Sequence, residues 1–439
     1  MKNFKILMAS MIGSIIEWYD FYLYGTATSL VFATLYFPSG NPTVSLLVAF
    51  ATFGAGYAAR PIGSILFGHF GDKIGRKASL MLTLMGMGGS SFLIGLLPTY
   101  AQIGIIAPAL LVFLRLVQGL ALGGEWGGAV LLATESAKKG VRGLFGSIPQ
   151  LGVPIGLIIG TFSFTFIGSI TTNEAFMSWG WRIPFLFSAV LIALGLWIRN
   201  GVDETPEFKE RQEKGDIEKF PVATLFKHHT KDVFRIIGLK LGDGLFNVFS
   251  MSFILTYATV YLNYTREEAL YGVLIGCVAM MFTIPIVGYL SDYIGRKTIY
   301  IIGVTILLLG VYPYFYAVDH GGTIFYVAQI VLLGVVWGMV FATQGTFFSE
   351  LFPANIRYTG LSLSYQIAAA IAGFGPMMWT ALGSKYGASP IAFGTFMAIG
   401  LVISLLMTIF AAPDTRKQSH YSDIQERDEE EKTLQTVQS

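Results

Sequence analysis

Long apolar stretches separated by short polar ones recur along the whole chain. Crossing about 30 Å of hydrocarbon takes about 20 residues of helix at 1.5 Å per residue. Twelve stretches qualify: 8–35, 44–67, 78–97, 105–133, 144–170 and 179–198, then 236–262, 269–290, 298–317, 323–348, 359–382 and 389–411. Only internally closed backbone hydrogen bonding survives in lipid, so stretches of this length are helices. The alternating segments of about ten residues that build a membrane β-barrel do not occur. The first stretch follows Lys2 and Lys5, as a signal peptide would. It is too long for a signal h-region, carries Glu17 and Asp20, and shows no small-residue cleavage site, so it reads as a retained helix. The pattern predicts an all-α polytopic membrane protein with twelve transmembrane helices.

The polar punctuation contains a repeat. GHFGDKIGRK at 68–77 returns as GYLSDYIGRK at 288–297. Glu135 and Arg142, after the fourth stretch, return as Glu350 and Arg357 after the tenth. Two matches in register indicate internal duplication, hence two pseudo-symmetric six-helix bundles with a site between them. The longest polar interruption divides the halves. The expected organisation is an N-terminal lobe over 1–199, a central loop over 200–235, a C-terminal lobe over 236–412 and a charged, solvated tail over 413–439. Of the 29 basic residues, only Arg182, Arg266 and Lys385 fall in the loops on one side. That bias puts both termini, the central loop and the GRK loops in the cytoplasm of a multi-pass plasma (inner) membrane protein.

Composition narrows the function. Charged residues make up 13% of the chain and hydrophobic ones 54%, against about 25% charged in a soluble domain. A net charge of +2 is too small to suggest nucleic acid. The single Cys277 and five scattered histidines offer neither a disulfide framework nor a metal site, and no cofactor is expected. No GxxxxGK[ST] exists to drive an ATP-fuelled pump, and no nucleophile–base cluster marks an enzyme.

A charge at the bilayer centre costs about 2.5–3.5 kcal/mol, so each intramembrane charge asks for a reason. Glu17, Asp20 and Tyr24 share one face of the first helix, with Asp20 about 22 Å above Lys5. Arg60 stands in the second helix, and Arg115, Gln118 and Glu125 in the fourth; the second half has no equivalent charges. A structural role would be expected in both copies, so the asymmetry points to function. Asp20 and Arg115, with Glu17, can exchange a proton for an ion pair, or they can form a permanent pair that only docks two helices. Arg60 can clamp a carboxylate bidentately or serve as counter-ion to Glu17 or Glu125. Lys240 and Asp243, three apart, read as a mutually neutralised pair, with Asn247 one turn deeper as a pore-facing hydrogen-bonder. Pro149, Pro154, Gly373, Gly375 and Pro376 interrupt corresponding spans, a pattern that marks binding regions. Gln150 and Gln366 there, with Tyr24, Gln118 and Glu125, are further candidate substrate contacts. Trp126, Trp337 and Tyr365 are candidate lining aromatics, although single aromatics in spans commonly just pack. At the loops, Asp72, Arg76, Glu135 and Arg142, with Asp292, Arg296, Glu350 and Arg357, form a candidate gating latch. Gly68 and Gly288 permit close helix contact there. The neighbouring lysines read more simply as positive-inside residues facing anionic lipid.

Gly-x-x-x-Asp-x-x-Gly-Arg-Lys between the second and third spans resembles the signature of the major facilitator superfamily. EWYDFYLYG (17–25), RPIGSILFGHFGDKIGRK (60–77), RLVQGLALGGEWGGA (115–129) and SWGWRIPF (178–185) resemble, more narrowly, the metabolite:proton symporter family. Members of that family carry shikimate, citrate, 2-oxoglutarate, and proline or betaine. The pattern is most similar to the shikimate branch, and the extended coiled-coil tail of the osmosensing betaine branch is missing. The resemblance implies the major facilitator fold, an aspartate on span one and an arginine on span four serving proton coupling, and alternating access. The expected partners are a small organic acid, protons and the lipid bilayer, with the chain acting as a monomer. The alternative is a proline/betaine osmoprotectant symporter.

Overall fold

The computed structural model describes residues 2–415 apart from 40, 139, 216, 217 and 388. From residue 416 the expected charged tail lies outside the described residues. Apolar sequence becomes helix almost everywhere, because each backbone polar group must find its partner within its own segment. Among the described residues there are twelve long helices: α1 (2–35), α2 (Pro42–Ile74), α3 (Arg76–Leu96), α4 (Ile106–Glu135), α5 (Arg142–Ile170), α6 (Arg182–Asn200), α7 (Thr230–Tyr261), α8 (Arg266–Ile294), α9 (Arg296–His320), α10 (Gly322–Ser349), α11 (Arg357–Tyr386) and α12 (Pro390–Ala411). The last ten are long and apolar enough to cross a membrane by length and composition alone. α1 and α2 are at least as long and hold Glu17, Asp20 and Arg60. No strand occurs among the described residues.

The helices form two six-helix bundles. α4 packs on α2 and α3, and α1 on α5, while α7 packs on α12 and α8 on α10. Large apolar side chains face outward, with Trp197 75% and Phe410 81% exposed. A water-soluble surface would not tolerate that band, whereas lipid solvates it. The second-half core continues through Trp126, Val130, Val153 and Leu157 of the first half, so the lobes meet across packed apolar surface.

Two expected interruptions are present. α5 tightens into a 3₁₀ turn at Ile148–Leu151, around Pro149, and α11 breaks at Phe374 between Gly373 and Gly375. At both GRK loops the chain turns sharply through a glycine, Gly75 with φ 106° and Gly295 with φ 102°. Only a residue without a Cβ enters that conformation cheaply, which lets α2 run into α3 and α8 into α9 without a connecting loop. On this loop face the lobes are in contact. A Cβ on Gly68 would lie 2.7 Å from Thr359 Cα, and one on Gly288 would lie 2.1 Å from Ser147 Oγ.

Candidate functional site

Between the lobes lies a cavity bordered by Glu17, Trp18, Tyr57, Arg60 and Trp126 from the first half and by Lys240, Asn247, Phe341 and Tyr365 from the second. The space between its walls, about 560 Å³, is partly continuous with solvent. Its chemistry is two cations against aromatic rings. The Arg60 guanidinium lies 4.6 Å from the Tyr57 ring centroid and 5.7 Å from that of Phe21. Lys240 Nζ lies among Tyr365, Phe341 and Trp337 at 5.2, 5.7 and 5.9 Å. Trp126 stacks on Tyr365 at 3.7 Å, so one ring from each lobe meets in the cavity wall.

Each cation has an internal partner of a different quality. Lys240 donates to Asp243 at 2.6 Å, and Asp243 also accepts from Tyr300 (3.0 Å) and Gln344 (2.6 Å), so its carboxylate is well supplied. Arg60 and Glu17 approach only to 3.8 Å. Asn247 donates to Met251 Sδ at 3.3 Å.

Of the candidate substrate contacts read from sequence, Arg60 and Asn247 border the cavity, as does Glu17; Gln118, Glu125, Gln150, Gln366 and Tyr24 do not. Glu125 is held inside the N-terminal lobe by Arg199 and by Thr83 at 2.5 Å. Arg199 also donates to the carbonyls of Ala9 and Leu80, so the pair ties α1, α3, α4 and α6 together. Gln118 accepts from Arg115 at 2.5 Å and donates to Ser91. Tyr24 shares a hydrogen bond with Thr52, and its ring lies 4.1 Å from the Arg115 guanidinium. The two glutamines cross the lobe interface in opposite directions. Gln150 donates to the Phe341 carbonyl and Gln366 to that of Leu122, both at 3.3 Å. Their helix registers put them at lobe-to-lobe contact, one layer from the cavity.

Asp20 points to α6, where it accepts from Ser188 at 2.9 Å. It is fully buried, and among the described residues its Oδ2 accepts no hydrogen bond. A buried carboxylate with one oxygen unsatisfied is costly, so its charge asks for a proton or an approaching cation.

The loop face brings together the residues read as a latch. Arg76 donates to Asp72 (3.1 Å) and to both oxygens of Glu135 (3.0 and 3.2 Å). Asp72 also accepts from the backbone N–H groups of Tyr358 and Thr359, at the start of α11 in the other lobe. Asp292 likewise accepts from Gly143 and Leu144 at the start of α5. Each lobe thus caps a helix of its partner, satisfying N–H groups that a helix start leaves open. Arg296 pairs with Asp292 at 2.9 Å and with Glu350 at 3.3 Å. Burial pushes the Glu350 carboxyl up, with Arg296 and Arg142 pulling it back.

Sequence reading missed three features here. Lys240 was discounted because Asp243 neutralises it, and only its placement among the rings reveals it as a cavity residue. Arg199, near a span end, reads as an ordinary positive-inside charge. The third is a strap in the central loop. Glu204 accepts from the backbone of Arg76 and Lys77 at 3.0 Å, and Thr205 donates to Glu135 at 2.7 Å. The short helix Pro206–Glu213 then crosses to the other lobe, where Glu207 accepts from Arg357 at 2.8 Å and Arg211 donates to the Ala354 carbonyl. Its start was legible, since Thr205 before Pro206 is an N-cap and first-turn proline; its docking was not.

A family model described as Major Facilitator Superfamily matches residues 10–376. The chain is 41% identical to the inner membrane metabolite transport protein YhjE of Escherichia coli K12, over 94% of this chain and 95% of that protein. It is 40% identical to the shikimate transporter of the same organism, with coverage of 94% and 95%. It is 31% identical to the proline/betaine transporter of Salmonella typhimurium LT2, with coverage of 97% and 87%. Among solved structures, the proton:xylose symporter XylE bound to 6-bromo-6-deoxy-D-glucose matches with a TM-score of 0.74 at 18% identity, covering 94% of this chain and 96% of that one. That likeness is one of fold.

Proposed function

The chain belongs to the major facilitator superfamily, and we propose that it is a proton-coupled importer of a small organic acid, working by alternating access between its two lobes. The observation that carries this reading is a pair of cations, Arg60 and Lys240, facing one cavity from opposite lobes. An anion held between them draws the lobes together, which is the differential contact that a substrate must make to shift a two-state equilibrium. The 40% identity to a shikimate transporter supports a hydroxylated carboxylate as the substrate class.

The osmoprotectant alternative asks for a different surface. A quaternary ammonium is recognised by open aromatic faces. Here the rings of Tyr57 and Phe21 face Arg60, and those of Trp337, Phe341 and Tyr365 face Lys240. The chain's own cations take the positions a betaine headgroup would need.

In this mechanism the loop face is cytoplasmic, by the lysine and arginine bias, and the protein resides in the inner membrane. The arrangement described above is closed on that side. Substrate enters from outside, Arg60 takes a carboxylate through its planar fork, and Asp20 exchanges the coupling proton. The caps at Asp72 and Asp292 then release the starts of α11 and α5, and the cavity opens inward.

Uptake into proteoliposomes under an imposed inward proton gradient tests this, comparing radiolabelled shikimate, citrate, 2-oxoglutarate and betaine. The expected result is concentrative, ionophore-sensitive uptake of one acid, lost in Asp20→Asn while exchange of labelled for unlabelled acid continues. Gradient-independent uptake that survives Asp20→Asn would leave a facilitator, and betaine uptake stimulated by hyperosmotic medium would favour the alternative.

A further inference from the structure

Glu17 and Arg60 form an ion pair that is complete in charge and incomplete in hydrogen bonding. Their nearest atoms, Glu17 Oε1 and Arg60 Nη1, are 3.8 Å apart, beyond hydrogen-bond reach, although the residues are only 3% and 6% exposed. Among the described residues, Glu17 Oε2 accepts no hydrogen bond and Arg60 Nε donates none. Among the described residues, the loop-face pair of Arg296 and Glu350 shares this defect, whereas three pairs within the lobes are closed. Arg76 with Glu135, Arg199 with Glu125 and Lys240 with Asp243 are all hydrogen-bonded. A buried ion recovers its lost hydration through such bonds, and of the pairs that lack them this one borders the cavity.

We propose that Glu17 is a built-in stand-in for the substrate's carboxylate, and that the two exchange places on Arg60 at the cost of one proton. This rests on the organic-acid reading above. The incoming carboxylate accepts two N–H···O bonds from the guanidinium, which stays charged throughout. Glu17, displaced from its counter-ion, takes one proton from water onto a carboxyl oxygen and remains in the cavity wall as the neutral acid. Binding of one anion with one proton leaves the charge of the site unchanged, and this proton, taken up on binding, is distinct from the one that Asp20 exchanges during transport. Facing Glu17 are Arg60 and Tyr57 from α2, Glu125 from α4, Lys240 from α7 and Tyr365 from α11. Glu125 is already held by Arg199 and Lys240 by Asp243. Arg60 is therefore the one cation whose partner the ligand replaces.

The test is direct binding to purified protein in detergent, over a range of pH, with proton uptake followed by an indicator dye. The probes are shikimate, citrate, 2-oxoglutarate and betaine, and the variants are Glu17→Gln and Asp20→Asn. Exchange predicts about one proton taken up per acid bound, and affinity that falls about tenfold per pH unit above the titration of Glu17. Asp20→Asn keeps both properties, while Glu17→Gln binds the acid with pH-independent affinity and takes up no proton. Acid binding without proton uptake overturns the exchange and leaves the organic-acid reading standing; so does proton uptake that vanishes in Asp20→Asn or persists in Glu17→Gln. Binding of betaine alone, or of none of the four, overturns both. Should thermal unfolding show that Glu17→Gln is not folded, the proton stoichiometry of wild type and Asp20→Asn decides the matter.

Discussion

A guanidinium is strongest where its fork is used, and the buried arginines use it differently. Arg60 presents its fork to a cavity, while Arg199 is fully committed to Glu125 and two backbone carbonyls. Arg60→Lys keeps the charge and loses the bidentate geometry. The expected outcome is a tenfold to hundredfold rise in KM for the acid with a smaller change in kcat, measured as initial uptake rates in proteoliposomes. Arg199→Met leaves Glu125 buried without its cation, a loss of about 3–5 kcal/mol. Adding Glu125→Gln should restore much of that, read as Tm in detergent. A double variant no more stable than Arg199→Met alone would mean that the carbonyl bonds, and not the ion pair, hold the helices.

At the scale of the element, the glycines of α4 do two separate jobs. A Cβ on Gly123 would lie 2.3 Å from the Arg60 carbonyl oxygen and 2.4 Å from Ser64 N, so this glycine lets α4 lie against the backbone of α2 within one lobe. On Gly128 the nearest atom would be Tyr358 Oη at 2.3 Å, across the lobe interface, where that hydroxyl donates to the Gly124 carbonyl. Gly123→Ala should therefore lower Tm and weaken substrate binding, since it displaces the helix that carries Arg60. Gly128→Ala should leave Tm nearly unchanged and separate the lobes on the loop face. Spin labels on the loop-face ends of α2 and α11, with their distance measured by double electron–electron resonance, distinguish the two. Equal loss of Tm in both variants would refute this division. The helices themselves were readable from hydropathy, while their ends were less so: α2 runs to Ile74 rather than 67 and α7 starts at Thr230 rather than 236. Which face of α4 meets α2 and which meets α11 was not readable, because its polar residues Arg115, Gln118 and Glu125 are spent inside the lobe and a glycine does not say which helix approaches it.

For the molecule as a whole, closure of the loop face rests on reciprocal capping. Asp72 of the first lobe holds the start of α11, and Asp292 of the second holds the start of α5. A charge-assisted hydrogen bond contributes about 1.5–3 kcal/mol, and 1.4 kcal/mol is tenfold in population. Asp72→Asn should thus shift the resting protein at least tenfold toward the open loop face, and pairing it with Asp292→Asn should shift it further. The same spin-label distances check this; an unchanged distribution in the double variant would assign closure to the apolar interface and the strap at Glu204–Arg211.

Twelve spans, their duplication and the pairing of the two loop motifs follow from the sequence alone, because lipid leaves a hydrophobic segment of that length only one backbone solution and because a repeat is a property of the string. The identity of the scarce intramembrane charges was legible for the same reason: each is conspicuous against an apolar background. Their partners were not. Glu17, Asp20 and Tyr24 share a helix face in sequence, yet one borders the cavity, one bonds α6 and one lies against Arg115. Glu125 looked like a substrate contact until Arg199, 74 residues away, closed on it. Lys240 looked spent on Asp243 until three rings and a cavity surrounded it. Helical periodicity orients side chains within a segment, whereas pairing depends on how far each helix is rotated and shifted against its neighbours, and only packing in three dimensions sets that.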